Sequence, residues 1–80
     1  MIMDADNKLP KGKFDRYTGF SSHGTRATIM KGLSGYNAML TYASGERDYG
    51  TPYRLSPQAT ANDVRKRAGG TWEWTGVTDD

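Results

Sequence analysis

Thr71-Trp72-Glu73-Trp74-Thr75 sets two indoles one residue apart. A β-strand sends successive side chains to opposite faces, so both indoles fall on one face and Thr71, Glu73 and Thr75 on the other. That face is either a major part of the core or a binding surface, because the chain has little else to bury. Ile, Leu, Val and Phe number only ten among its 80 residues. So lean a composition borders on disorder, but disorder also requires high net charge and few aromatics. Here the net charge is +2, and two Trp, five Tyr and two Phe are present. The chain is expected to fold as one domain whose core is mostly Tyr, Trp, Met and Ala.

Immediately upstream lies the best-punctuated element. Ser56 is a natural N-cap and Pro57 suits the first helical position. Ala59, Ala61, Val64 and Ala68 form a narrow apolar stripe. Arg65, Lys66 and Arg67 complement the helix dipole in the last turn, and Gly69-Gly70 ends it. The pattern predicts a helix over 57–68, with a later start at Thr60 and a capping box to Asp63 as the alternative.

Further back, Tyr36-Asn37-Ala38-Met39-Leu40-Thr41-Tyr42 alternates as a strand. The tight Gly32–Gly35 connection joins it to a strand over 26–31 as a hairpin. Ala43–Glu46 reads as a second turn, followed by an irregular strand from Arg47 to Leu55 that Pro52 confines to an edge or bulge. Phe14, Tyr17 and Phe20 recur every third residue around Gly19, a spacing that suits neither strand nor helix. It predicts a loop over 14–22 that drops aromatic anchors onto the fold.

These elements predict a small α+β domain with a three- or four-stranded, mainly antiparallel sheet and the helix packed on one face. Trp72 and Trp74 should face the helix near Ala61, Val64 and Ala68. Residues 1–13 read as a flexible arm, 14–77 as the domain and 78–80 as a tail.

The chemistry is narrow. Without cysteine there is no disulfide, thiolate metal site or cysteine nucleophile. No apolar run reaches the length of a membrane span or signal core, and Met1–Asp6 is acidic, so a cytoplasmic protein without a membrane partner is expected. His23, the single histidine, lies in the polar turn Ser21-Ser22-His23-Gly24 and reads as a surface or hydrogen-bonding residue. Neither GxGxxG nor GxxxxGK[ST] occurs. Gly32-Leu33-Ser34-Gly35 spells the GxxG of KH domains but joins strands instead of helices. An EF-hand reading of Asp4, Asp6 and Asn7 fails at Lys8 and Leu9. Glu46 and Asp48 flank Arg47, and nothing brings two carboxylates into one apolar pocket. Glu73 is expected to pair with Arg54 or Arg26 across strands. No catalytic residue, metal or cofactor is expected, and the chain does not read as an enzyme.

Two binding readings remain. Tyr, Trp, Arg and Met are the residues enriched at interface cores. Five tyrosines, at positions 17, 36, 42, 49 and 53, are too many to bury in 80 residues. Tyr49, Tyr53 and Arg54 beside an exposed edge, with Arg47 and Arg65 at the rim, would dock a protein. In size and character the chain is similar to small inhibitors of phages and mobile elements, such as anti-CRISPR proteins. That resemblance implies a stoichiometric inhibitor occupying a surface of a larger host or defence complex. The alternative is nucleic-acid binding through Lys11, Lys13, Arg16, Tyr17, Lys66 and Arg67, since single-strand binders combine rings with a positive groove. No helix-turn-helix, RRM or finger spacing accompanies them, and a pI of 9.0 with a charge of +2 is a mild bias. Both a monomer and a homodimer fit, because an exposed sheet edge can pair with its own copy.

Overall fold

The computed structural model describes residues 7–79. Its elements are β1 (Arg16–Ser21), β2 (Arg26–Gly32), β3 (Gly35–Thr41), β4 (Arg47–Asp48), α1 (Pro57–Ala68) and β5 (Trp72–Val77). The strands form one antiparallel sheet in the order β4-β3-β2-β1-β5, with α1 packed on one face over β2 and β3. The domain is α+β, with five strands where three or four were expected.

The additional strand is β1, in the stretch expected to be a loop. Tyr17, Gly19 and Ser21 face the core, while Arg16, Thr18 and Phe20 face away. The three-residue aromatic spacing conceals this alternation, because Tyr17 and Phe20 serve opposite faces. Gly19 is required by its neighbour: a Cβ there would lie 2.5 Å from the Trp74 ring. Gly76 stands in the same relation to Phe14, whose ring a Cβ would strike. A glycine that weakens a strand in isolation is here covered by a ring from elsewhere in the fold.

The helix starts and stops as predicted. Ser56 has extended backbone and its hydroxyl accepts from Ala59 N, while Gly69, at φ 70°, donates its N–H to Arg65 O. Thr60 lies inside the helix, fully buried, and bonds Tyr36 O at 3.1 Å, so it is not the cap. The core comprises Tyr17, Ala27, Ile29, Ala38, Leu40, Ala61, Val64, Trp72 and Trp74. The two indoles stack at 5.3 Å on the helix-bearing face and belong to the core. Met30 and Met39 do not: Met30 is exposed and Met39 half-buried, because alternation puts both on the opposite face.

Two boundary segments depart from expectation. Asp4 and Asp6 lie outside the described residues, but from Asn7 to Leu9 the expected arm is anchored. The Asn7 side chain donates to Ala61 O and Asn62 Oδ1 and accepts from Trp74 Nε1, its N–H donates to Trp72 O, and Leu9 N–H donates to Gln58 Oε1. Asn7 does so at φ 71°, a left-handed conformation that asparagine tolerates better than most residues. The expected strand over 47–55 shrinks to Arg47–Asp48 plus one bridge between Tyr36 and Arg54. Between them Thr51 accepts from Ala38 N (2.8 Å) and donates to Ala38 O (2.9 Å), so a side chain replaces the ladder beside Pro52.

Candidate functional site

Among the described residues, no element covers the face of the sheet opposite α1. Pairing registers arrange its side chains in rows that run across the strands. One row is Arg47, Thr41, Arg26, Phe20 and Glu73. The next is Met39, Thr28, Thr18 and Thr75. A third is Asn37, Met30, Arg16 and Val77. Tyr53 extends this third row: Arg54 bridges Tyr36 and sends its guanidinium to Asp63 on the helix, so its neighbour Tyr53 turns to the other side. There the Tyr53 ring lies 3.6 Å from where a Gly32 Cβ would stand.

This face exposes large side chains that an isolated sheet would gain by covering. Phe20 is 58 %, Met30 46 % and Tyr53 54 % exposed. Leu33, in the β2–β3 turn, and Leu55 are more exposed still. A shallow depression floored by Gly19 is lined by Thr18, Arg26, Thr28, Met39 and Thr41. Glu73 and Arg26 flank Phe20 from opposite sides of its row. Glu73 does not pair with Arg54, whose two-pronged bond to Asp63 closes at 2.6 and 3.1 Å.

The structure separates the residues of the protein-docking reading. Tyr53 and Arg47 reach the bare face, and Tyr49 is exposed on the segment after β4. Arg54 is on the helix side, and Arg65 is in the last turn of α1. The nucleic-acid set is divided further. Lys11, Lys13 and Lys66 are exposed, but Tyr17 is only 6 % exposed and its ring packs edge-on against Phe14. Arg16 pairs with Asp79 at 3.0 Å, and Arg67 reaches Asp48 Oδ2 (2.9 Å) and Gly50 O (2.6 Å). Tyr17 therefore has no face to offer a base. Phe20, one of the rings interleaved with Lys11, Lys13 and Arg16 in the sequence, takes its place on the bare face because β1 is a strand and not a loop.

Two polar clusters have structural explanations. Asp48 accepts from Gly50 N–H, the Tyr42 hydroxyl and Arg67. The Gly50 bond above all, with the Tyr42 and Arg67 bonds, holds its carboxyl below the ordinary aspartate range. Burial, then the bond to Asp48, pushes the Tyr42 phenol up. In the Ser21–Gly24 turn the buried Ser21 hydroxyl accepts from His23 N and Thr25 N, closing the β1–β2 connection. His23 Nδ1 lies 3.4 Å from Ala68 O at the C-terminal end of the helix.

No family model matches the chain, and no curated protein or solved structure matches it either. The site is therefore read from its own geometry. Among the described residues no helix is long and apolar enough to cross a membrane, and no three His, Cys, Asp or Glu side chains are grouped to hold a metal.

Proposed function

We propose that the chain is a non-enzymatic protein-binding module that lays the bare face of its sheet against a larger partner. It would act by occupancy, as small inhibitors of phages and mobile elements do. The observation that carries this reading is the joint exposure of Phe20, Met30 and Tyr53 on one face, among threonines and arginines. Aromatic, methionine and arginine side chains are enriched at interface cores, and ring anchors supply most of the energy there. β-branched threonines are stiff at χ1, so the rows between the anchors lose little freedom on docking. Arg26 and Arg47 on the row that ends in Glu73 favour a partner with carboxylates at its rim.

Nucleic-acid binding has weaker support. It needs rings within a positive groove, and burial removes Tyr17 while ion pairing engages Arg16 and Arg67.

The test is affinity capture from a host-cell lysate with and without nuclease, using the wild type and the variants Phe20→Asp and Tyr53→Asp. Both positions are exposed, so circular dichroism and thermal midpoint should stay near wild type. The expected result is a protein complex retained after nuclease and weakened at least about tenfold by either variant, the scale of a lost interface anchor. Capture unaffected by both variants would overturn the assignment of the face. Binding of labelled DNA or RNA with steep salt dependence would favour the alternative.

A further inference from the structure

Beyond Trp72, the outer edge of β5 carries backbone groups without a partner among the described residues. Backbone direction along β5 follows from its bonds. Thr71 O accepts Ser22 N and Val77 O accepts Asp15 N, both on the β1 side, whereas Trp72 O accepts Asn7 N from the other side. In an antiparallel ladder these directions alternate, so Trp74 and Gly76 point their N–H and C=O groups outward. Among the described residues neither finds a hydrogen-bond partner for those groups. An exposed edge is ordinarily protected by Lys, Pro, a bulge or a covering segment. Here β5 reads Trp72-Glu73-Trp74-Thr75-Gly76-Val77, with no Pro, no Lys and unbroken pairing to β1.

We infer that two chains associate through antiparallel β5 edges around a two-fold axis at Thr75. This register alone matches the two outward residues to each other: Trp74 of one copy opposes Gly76 of the other, which makes four backbone hydrogen bonds by symmetry. Side chains agree with it. Thr75 meets its own copy, a favourable cross-strand pair, and Glu73 meets Val77, so no like charges stand opposite each other. Asn7 occupies the space beside Trp72, and the partner's tail leaves that space open. Asp79 N–H donates to Asp15 Oδ2 and Asp79 pairs with Arg16, which draws the tail toward β1 and away from the outer edge. Helices of both copies lie on one side of the joined sheet, and the bare faces become a single continuous surface.

Thr75 is exposed and points away from the core, so it can be changed without disturbing the monomer. Sedimentation velocity of the wild type over a wide concentration range should show a monomer–dimer equilibrium. Thr75→Lys and Thr75→Glu, each alone, place like charges on the two-fold axis and should weaken it at least about tenfold. An equimolar mixture of the two variants should restore association as a heterodimer. A wild type that stays monomeric throughout would overturn the inference, as would a dimer indifferent to both variants. Amides of Trp74 and Gly76 that become protected from exchange only when a different protein binds would also overturn it, and would give the edge to that protein's strand.

Discussion

The two edges of the sheet are finished by different physics. Along the outer side of β3, Tyr36 exchanges backbone bonds with Arg54, Ala38 is satisfied in both directions by the Thr51 side chain, Leu40 is in register with Asp48, and Tyr42 N donates to Glu46 O. An irregular segment containing Pro52 closes that edge group by group. β5 is instead held from the core side by rings, with Trp74 over Gly19 and Phe14 over Gly76, while among the described residues its outward groups beyond Trp72 have no partner. Polar satisfaction seals one edge, and ring packing holds the other in place but leaves it available. A folded chain keeps an edge unsealed at some risk of aggregation, which is why the difference bears on function.

The largest effect is expected at the ring-held edge. Trp74→Ala removes the stack on Trp72, uncovers Gly19 and takes the donor from Asn7 Oδ1. Truncating a buried tryptophan costs about 3–5 kcal/mol, a large part of the stability of a domain this small. Urea denaturation should show that loss. Hydrogen exchange on the surviving native state should show β5 amides opening before those of β3. Uniform loss of protection across both edges would mean that β5 is not held separately by its rings.

A smaller effect is expected at the sealed edge. Thr51→Val keeps the shape of a buried side chain and deletes both bonds to Ala38. Leaving a buried N–H and C=O without partners costs about 1–3 kcal/mol. The Ala38 amide should lose protection while those of Glu73 and Thr75, paired with β1, keep theirs. If Thr51→Val proved as costly as Trp74→Ala, the contrast between the edges would fail.

How much of this was legible in the sequence depended on whether a signal was local. The helix was, from Ser56 and Pro57 to Gly69, because caps are chosen by adjacent backbone. The β2–β3 hairpin and the shared face of Trp72 and Trp74 followed from alternation. β1 was hidden because Gly19 is compatible with a strand only through Trp74, 55 residues away in sequence. The Asn7 anchor was hidden for the same reason, since its partners lie on α1 and β5. At the candidate site, Tyr53 and Arg47 were legible as exposed residues near an edge. Phe20 and Met30 required the register, which sets one face against the other and puts Tyr17 on the core side.

The sealed edge also carries the smallest effect, through Asp48. Its carboxylate accepts from Gly50 N at 2.8 Å, Arg67 at 2.9 Å and the Tyr42 hydroxyl at 3.0 Å, joining the edge segment to β3 and α1. These bonds favour the charged form and lower the folded-state pKa below the ordinary aspartate value of 3.8. A lowered pKa contributes stability that is complete above the unfolded value and is lost as pH falls through the folded one. The contribution should therefore be full at neutral pH and fade on acidification below about pH 4, where protonation removes an acceptor. Partial exposure and solvent screening keep it under about 1 kcal/mol. Urea midpoints measured from neutral to acidic pH should fall less steeply in Asp48→Asn than in the wild type, with the two curves converging at the acid end. Exchange at Glu73 and Thr75, the β5 residues that bond to β1, should be the same in both proteins at every pH. If those amides responded along with Ala38, the two edges would be one cooperative unit and their different construction would have no energetic consequence.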